Sequence, residues 1–356
     1  MLVGARNASA RDGQNLRPIT ALRGIAALAV LGLHVIAAPL GPRAPAILDR
    51  GDLGVDLFFF LSGFVLSHVY GLEFAVTVSI GNFVRYLRAR LARIYPVHLV
   101  ILIMCLPALG MNQAFSVEAL VYNLLLLQGP ELSYGSWYGF SWSISAEWHA
   151  YLLFPLAAGA LLRRSWAGAL AIAGVCLSVL VAATVPEHGA VTGTHGIPGL
   201  IRICSEFFAG VCVYRLFALG WLRHVFAHNA VALGAGVLIL GLARTPAAPD
   251  ILIVLLLPVL LLAVAHNDGG VKRVLERRPL LYIGEISYSL YMAQAITRFF
   301  QGLVPVAAAD PPAMAAARIA ACLAVTLASG IALHRYIEAP CRALLAGRAR
   351  SRKPVS

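Results

Sequence analysis

An arginine and a histidine interrupt one apolar stretch near the start of this 356-residue chain. Arg23 and His34 are eleven residues apart, and the residues between them carry no ionisable group. At about 100° and 1.5 Å per residue, this spacing puts both side chains on one helix face, about 16 Å apart. A histidine can bind or release a proton near neutral pH, so the pair suggests acid–base chemistry beside a cation. The alternative is that Arg23 extends toward lipid headgroups and that His34 only hydrogen-bonds a neighbouring helix.

Two carboxylates occupy similarly apolar surroundings. Asp56 lies within the stretch Gly54–Gly63, and Glu147 lies five residues after Trp142. Burying a carboxylate is costly unless it is paired or protonated, so both are candidate functional groups. Asp56 also fits an exposed acid at a helix N-terminus, where the helix dipole favours it. Trp142 also fits an aromatic residue of the membrane interface.

A basic run from Arg85 to Arg93 precedes a further apolar stretch. Within this run Arg90 and Arg93 are three residues apart, a spacing that places them on one helix face. Two adjacent guanidinium groups suit the oxygens of phosphate. Anchoring to the phosphates of membrane lipids is the competing explanation.

Polar residues also occur in the last two apolar stretches. The segment Tyr282–Gln294 carries several hydroxyl groups, among them that of Tyr288, and ends in an amide. The segment Tyr336–Pro340 includes Glu338. Polar groups in apolar helices indicate contacts with other helices or with a ligand.

The elements that carry these residues must cross a membrane. Hydrophobic residues make up 60% of the chain and charged residues 12%, whereas charged residues make up about 25% of a typical soluble domain. This composition excludes a soluble globule, a disordered chain, a coiled coil and a disulfide-bonded secreted scaffold. The six cysteines show no metal-binding spacing, so no metal site is predicted.

The apolar runs predict an all-α integral membrane protein with a bundle of about ten transmembrane helices, since about 20 apolar residues cross a bilayer. The expected spans are 20–38, 53–70, 95–110, 141–162, 167–185, 198–218, 226–243, 250–266, 280–301 and 313–336. The run 117–127 is too short to cross and is predicted to be interfacial or re-entrant. The spans form one domain, residues 19–340, between basic tails at 1–18 and 341–356.

The distribution of the 28 lysines and arginines predicts the orientation. In the ten-span topology twenty of them fall on the side of the two termini and three fall on the other side. Because positive charge accumulates on the cytoplasmic side, we expect both termini in the cytoplasm and residues 128–140 outside. The net charge of +12 is then an orientation signal and a contact with lipid headgroups. Nucleic-acid binding is not expected.

This topology sorts the polar residues into two tiers. The tier in the outer half of the bilayer consists of His34, Asp56, Glu147 and Gln294. The tier in the inner half consists of Arg23, Arg90, Arg93 and Glu338. An acid–base tier above a phosphate-attracting tier indicates a pore with its reaction zone near the outer face.

The order of these motifs resembles that of the membrane-bound acyltransferase 3 family of integral membrane O-acyltransferases, from about Arg17 to Pro340. The motifs are Arg-x10-His ending at His34, Gly-x-Asp-x-Phe-Phe-x-Leu-Ser-Gly from Gly54, Arg-x-x-Arg from Arg90, Trp-Ser-x-Ser-x-Glu from Trp142, Ser-Tyr-x-x-Tyr from Ser287 and Glu-x-Pro from Glu338. Two positions depart from the family pattern. The family commonly has a histidine at the position of Gln294 and often a second glutamate at that of Trp148.

The resemblance implies an enzyme that transfers an acyl group, usually acetyl, from cytoplasmic acyl-CoA to a hydroxyl of an extracytoplasmic glycan or lipid-linked sugar. It implies acyl-CoA as co-substrate, no permanently bound cofactor, and a multi-pass protein of the bacterial inner membrane. No esterase-like domain follows the spans, so a cell-wall function that needs one would require a separate protein. A transporter or flippase is the alternative, since it would also carry buried ions. Such a protein should show inverted repeats, and the sequence has none.

The resemblance also implies roles for individual residues. The residues assigned to CoA are Arg90 and Arg93 at the phosphates and Arg23 along the path of the pantetheine arm. His34 is assigned as general base toward the acceptor hydroxyl, with its imidazole oriented by Asp56 or Glu147. The residues assigned to the substrate and to the thioester oxyanion are Gln294, Tyr288 and Trp142.

Overall fold

The computed structural model describes residues 16–111, 116–128, 141–184, 191 and 196–345, with the backbone alone over 107–111. Of these residues 85% are helical and none forms a strand, which confirms the all-α prediction. The principal helices are α1 (Arg17–Leu31), α2 (Leu53–Val76), α3 (Ile80–Met111), α4 (Ser141–Leu162), α5 (Trp166–Thr184), α6 (Gly196–Ala218), α7 (Asn229–Ala243), α8 (Asp250–His266), α9 (Ser287–Leu303) and α10 (Pro312–Leu333). The shorter helical segments are Gly32–Ala37, Ala38–Leu40, Gly41–Arg43, Ala46–Asp49, Val117–Leu124, Arg223–Phe226, Gly270–Leu275, Arg278–Glu285, His334–Glu338 and Ala339–Leu345.

Six helical segments in the described part of the chain are long and apolar enough to cross a membrane. They are Arg17–Arg43, Leu53–Val76, Ile80–Leu106, Trp166–Thr184, Gly196–Ala218 and Pro312–Leu345. Two further apolar helices, α7 and α8, are shorter. The number of ten spans and the cytoplasmic termini stay predictions. Most of both basic tails, and the segment 129–140, lie outside the described residues.

The short run predicted to be interfacial or re-entrant forms the helix Val117–Leu124. Its eight residues span about 12 Å, less than half the thickness of a bilayer core. The helix begins at Ser116, whose side chain accepts a hydrogen bond of 3.0 Å from the Ala119 amide, an N-cap that satisfies one free amide of the first turn.

The expected continuous span at 280–301 is instead interrupted at Ile286, between the segment Arg278–Glu285 and α9. The segment packs against the first turns of α1. A Cβ atom on Gly284 would collide with the carbonyl oxygen of Thr20, so the two backbones touch directly. The interruption lets the short helix follow this close contact while α9 continues in its own direction.

Helix α2 packs between α1 and α6 through glycines on two of its faces. Gly54 lies against the backbone of α1, whereas Gly63 lies against the carbonyl oxygen of Phe207 in α6. Gly210 of α6 lies in turn against the carbonyl oxygen of Phe60. Small residues allow helix backbones to meet in this way inside a membrane. The arrangement determines which side chains of α2 point toward α1 and which point toward α6.

Candidate active site

Two cavities meet at a pair of arginines, Arg23 of α1 and Arg93 of α3, which line both of them. One cavity is a wide cleft of about 640 Å³, and the other is a narrow cavity of about 50 Å³ within the bundle. The Nη2 atom of Arg93 is buried and has no hydrogen-bond partner among the described residues. The junction therefore presents guanidinium donors to a ligand that extends from the cleft into the cavity.

The wide cleft is lined by residues from both ends of the chain. Its polar side chains, besides the two junction arginines, are Thr20, Glu285, His334 and Arg342. Three guanidinium groups in one cleft attract a polyanion. Arg342 was expected only as part of the basic C-terminal tail, so its place beside the junction arginines emerges from the tertiary structure.

The narrow cavity follows α2 from Ser62 to Val55, both of which line it. The two residues are seven positions apart, which is about 10 Å along the helix. Val55 is less than one helical turn from Asp52, the residue that immediately precedes α2. The cavity therefore connects the level of the arginine junction with the first turn of α2.

Glu147 of α4 lies in the narrow cavity. Its Oε1 atom accepts a hydrogen bond of 3.2 Å from the hydroxyl of Ser62 and a second one from the hydroxyl of Tyr151. Two hydroxyl donors hold the carboxylate in one orientation beside the arginine junction. Its neighbours thus explain how a carboxylate is tolerated inside the bundle.

His34 lies in the π-helical segment Gly32–Ala37 that continues α1. Its Nδ1 atom is 3.0 Å from the carbonyl oxygen of Val30. A carbonyl can only accept, so Nδ1 carries the proton and Nε2 of the neutral imidazole keeps its lone pair. Nε2 is 3.8 Å from Oδ1 of Asp52, and the His34 side chain is 20% exposed. Gln301 of α9 donates a hydrogen bond of 3.0 Å to the His34 carbonyl, which ties this turn to α9.

Asp56, expected beside His34, points instead toward α6. Its two carboxylate oxygens accept hydrogen bonds from Nε and Nη2 of Arg202, at 2.9 and 2.8 Å. Asp56 lies on the same stripe of α2 as Gly63, and this stripe packs on α6. Helical register therefore directs Asp56 to a buried arginine, and Asp52 is the carboxylate that approaches His34.

Arg202 is the centre of a buried polar cluster. Its Nε atom is 3.5 Å from Oε1 of Glu206, one turn further along α6. Its Nη1 atom donates a hydrogen bond of 2.6 Å to the carbonyl of Val191. The ring of Trp142 lies 6.0 Å from the guanidinium carbon, a cation–π distance. The structure thus places Trp142 against this cluster, and its substrate role stays a prediction.

Glu147 and His34 lie at different levels of the bundle. Glu147 is hydrogen-bonded to Ser62, which is ten residues beyond Asp52 and thus about 15 Å further along α2. His34 lies beside Asp52. The expected outer tier is therefore wrong for Glu147, which shares its cavity with Arg23. The level of Glu147 follows from its contact with Ser62 of α2, which its distance from the edge of an apolar run does not reveal.

Arg90 and Arg93 have different surroundings although they are three residues apart on α3. The Arg90 guanidinium lies over the ring of Tyr70 at 5.2 Å and that of Tyr151 at 6.0 Å. Its Nη2 atom also donates a hydrogen bond of 3.1 Å to the Tyr70 hydroxyl. Arg90 lines neither the wide cleft nor the narrow cavity. Of the two arginines, Arg93 is the one placed to meet a ligand there.

Tyr288 and Tyr291 of α9 line the narrow cavity opposite α2. The hydroxyl of Tyr288 donates to the carbonyl of Ile94 at 2.5 Å. The hydroxyls of Tyr291 and Ser143 are 2.8 Å apart. Tyr291 is the last residue of the Ser-Tyr-x-x-Tyr motif and lines the cavity as Tyr288 does, although it is not among the site residues predicted from the sequence.

Gln294 is buried on α9, and neither its Oε1 nor its Nε2 atom has a hydrogen-bond partner among the described residues. Four residues earlier on α9, Leu290 belongs to the same hydrophobic cluster as Leu31 of α1. On the other side of Gln294, Gln301 reaches the carbonyl of His34. Gln301 is seven residues beyond Gln294, about 10 Å further along α9. Gln294 therefore lies about this far from the level of the His34 carbonyl, and its place in the outer tier stays a prediction.

The sequence prediction missed Asp52 and Arg342 because both lie at the ends of apolar runs, where a charged residue needs no explanation. For Arg202 a signal existed. Arg202 and Glu206 are four residues apart in an apolar helix, and charges at that spacing inside a membrane call for a shared partner. That partner is Asp56.

Comparison with known proteins identifies the family. A family model described as an acyltransferase domain matches residues 18–335. The acyltransferase MdmB of Streptomyces mycarofaciens is 30% identical over a 380-position alignment that covers 96% of this chain and 94% of that protein. Protein 2 in the picA locus of Rhizobium radiobacter is 37% identical over 127 residues, 31% of this chain and 62% of that protein. No solved structure matches the chain.

These matches confirm the resemblance noted in the sequence, and they favour an enzyme over a transporter. The chain belongs to the acyltransferase 3 family and is a membrane acyltransferase.

Proposed function

We propose that this enzyme transfers an acyl group, preferably acetyl, from cytoplasmic acyl-CoA to a hydroxyl of a glycan or lipid-linked sugar at the outer side of the bacterial inner membrane. The observation that carries the proposal is a continuous line of polar groups through the bundle. The line leads from the wide cleft through the Arg23–Arg93 junction and the narrow cavity. It ends within one turn of Asp52 and His34.

The donor enters from the wide cleft. Its phosphates meet Arg23 and Arg93, which supply fixed charge and paired donors for phosphate oxygens. The uncharged pantetheine arm extends into the narrow cavity, whose walls include Val55 and Phe59. An arm that leaves the junction and follows α2 brings the thioester toward the first turn of that helix, beside His34.

His34 is the general base. The acceptor hydroxyl loses its proton to Nε2 as its oxygen attacks the thioester carbonyl carbon. The carbon–sulfur bond then breaks, and the departing CoA thiolate takes the proton from the imidazolium, so that the products are an ester and free CoA. Asp52, 3.8 Å from Nε2, stabilises the positive charge that the imidazole carries between these two transfers.

Gln294 is the better of the two predicted donors for the thioester oxyanion. Its amide is buried inside the bundle and has no hydrogen-bond partner among the described residues. The Tyr288 hydroxyl, by contrast, donates to the Ile94 carbonyl and would have to give up that bond. An amide donor directed at the developing negative charge stabilises the transition state more than the ground state.

Ester-linked acetate on cell-surface glycans and glycolipids tests the proposal. Deleting the gene should remove one ester-linked acetyl group from these molecules, and the wild-type gene should restore it whereas a His34→Gln copy should not. The purified protein should also bind acetyl-CoA. Unchanged surface acetate, together with no binding of acetyl-CoA by the purified protein, would exclude this function.

A further inference from the structure

A buried carboxylate supports the wall of the wide cleft beside Arg342. Glu338 ends the π-helical turn His334–Glu338, and its side chain is fully buried. Its Oε2 atom accepts a hydrogen bond of 2.7 Å from the Ser289 hydroxyl and lies 3.0 Å from Nδ1 of His334. Its Oε1 atom lies 3.4 Å from Nη1 of Arg342. The acyl-transfer mechanism above assigns no role to this cluster.

The cations of the cleft form two groups along the path of a ligand. Arg23 and Arg93 line both cavities. Arg342 and His334 line the wide cleft but not the narrow cavity. Arg342 is therefore further from the narrow cavity than the junction pair. Its side chain is 45% exposed, so an anion in the cleft can reach it.

Coenzyme A carries phosphate at two places. A diphosphate joins the pantetheine arm to the nucleoside, and a phosphomonoester is attached at the 3′ position of the ribose, beyond the diphosphate. If the pantetheine arm occupies the narrow cavity, the diphosphate lies at the junction of the two cavities. The 3′-phosphate then lies further out in the wide cleft.

We propose that Arg342 binds the 3′-phosphate of the acyl-CoA donor and that Glu338 is the positioning residue that holds Arg342 for this contact. The proposal rests on the acyl-CoA-dependent function proposed above. The diphosphate contacts are assigned to the junction arginines. The enzyme thus distinguishes CoA from carriers that lack the 3′-phosphate by means of Arg342, which lies beyond the residues that the family model matches, 18–335.

Glu338 makes this contact specific by restricting Arg342. A half-exposed arginine has many rotamers, and ordering it on binding costs free energy. The buried carboxylate, itself fixed by Ser289, limits that freedom before the ligand arrives. An anchored guanidinium retains further N–H donors for phosphate oxygens, because it has five in all.

The chemistry recognised here, a phosphomonoester, could come from the donor or from an anionic lipid headgroup. The test therefore compares CoA with 3′-dephospho-CoA, which differs only in that phosphate, on purified full-length protein in lipid-free detergent. The wild type should bind CoA about tenfold more tightly than 3′-dephospho-CoA, since one charge-assisted contact at a half-exposed site gives an effect of this order.

Arg342→Gln should weaken CoA binding to the level of 3′-dephospho-CoA and leave the affinity for 3′-dephospho-CoA unchanged. Glu338→Gln should reduce the same preference, and Arg342→Lys should restore part of it. Arg93→Gln should weaken the binding of both ligands by the same factor, because both carry the diphosphate. Arg335→Gln is the matched control, since Arg335 lies exposed in the same π-helical turn and should change neither affinity.

Three results would overturn the proposal. If Arg342→Gln weakened the binding of both ligands equally, this arginine would either contact the diphosphate or be needed for folding. No effect on either ligand, with loss of co-purifying anionic phospholipid, would assign it to a lipid headgroup. A wild-type protein that binds neither ligand would overturn the acyl-CoA function itself and this inference with it.

Discussion

Two histidines of this chain make the same local hydrogen bond, and the difference between them isolates the chemistry assigned to His34. In both His34 and His149, Nδ1 lies within hydrogen-bond distance of the carbonyl four residues earlier, at 3.0 and 2.7 Å. His34→Gln keeps a polar side chain of similar bulk but cannot take the acceptor proton. We expect the rate of acyl transfer to fall by about 10²- to 10⁴-fold. The amount of variant protein in the membrane and its affinity for acyl-CoA should stay unchanged.

His149→Gln is the matched control, because it removes an imidazole with the same local bond from another helix, and it should retain activity. Turnover numbers of both purified variants check the prediction. A His34→Gln enzyme within about tenfold of wild type would make this histidine structural and would move the search for the base to Glu147.

Asp52 and Asp56 are four residues apart, yet the structure gives them different partners. Asp52 lies 3.8 Å from the His34 imidazole and is 38% exposed. Asp52→Asn should therefore lower kcat roughly fivefold, the effect of about 1 kcal/mol of charge–charge interaction near solvent, with little change in thermal stability. Asp56→Asn instead leaves the buried Arg202 without an anionic partner on α2 and should cost about 3–5 kcal/mol of stability.

Kinetic assays and thermal unfolding of the two purified asparagine variants separate these effects. The opposite result, an unstable Asp52→Asn protein and a stable but slow Asp56→Asn protein, would return Asp56 to the role predicted from the sequence.

At the scale of elements, the contact between α2 and α6 determines where the polar residues of both helices point. A Cβ atom on Gly63 would collide with the carbonyl oxygen of Phe207, so Gly63→Ala must push the helices apart near the Asp56–Arg202 pair. Overpacking of this kind costs about 1–3 kcal/mol or more, and we expect a lower midpoint of thermal unfolding in detergent.

Gly236→Ala in α7 is the control for helix propensity, since a Cβ atom there meets nothing within 4 Å. Alanine favours helix over glycine, so this variant should be as stable as wild type or slightly more stable. Equal stability of both alanine variants would mean that α2 and α6 do not touch through their backbones.

At the scale of the whole molecule, the charge distribution predicts an orientation that labelling can measure. In a cysteine-free background, Ser351→Cys should react with a membrane-impermeant thiol reagent only after the inner face is exposed. Ser133→Cys, in the segment expected outside, should react in intact cells. The reason is the asymmetry of twenty basic residues against three under the positive-inside rule.

Labelling of intact cells and of permeabilised cells, measured side by side, provides the control for reagent access. Labelling of Ser351→Cys from outside intact cells would invert the topology, and it would place the wide cleft with its arginines on the side that lacks acyl-CoA.

Composition, apolar run length and motif order were sufficient to predict an all-α membrane acyltransferase. The physical reason is that lipid permits few ways of satisfying a backbone, and an apolar run of sufficient length forms a helix. The same signals placed Arg23, Arg93 and Glu147 among the site residues, and the structure brings these three into one cavity. A charged residue inside an apolar run is thus identified as a candidate from the sequence alone, because burying a charge in a membrane is costly whatever surrounds it.

Tertiary structure alone decided which partner each candidate meets. A helix turns about 100° per residue, so the neighbour of a side chain depends on helix rotation and on packing with distant segments. Asp56 pairs with Arg202, 146 residues away. Arg342 and Arg93 line the same cleft, because its wall is built from helices at both ends of the chain. His34 lies in a π-helical turn, and its imidazole approaches Asp52, a partner that the regular helical spacing from Arg23 does not reveal.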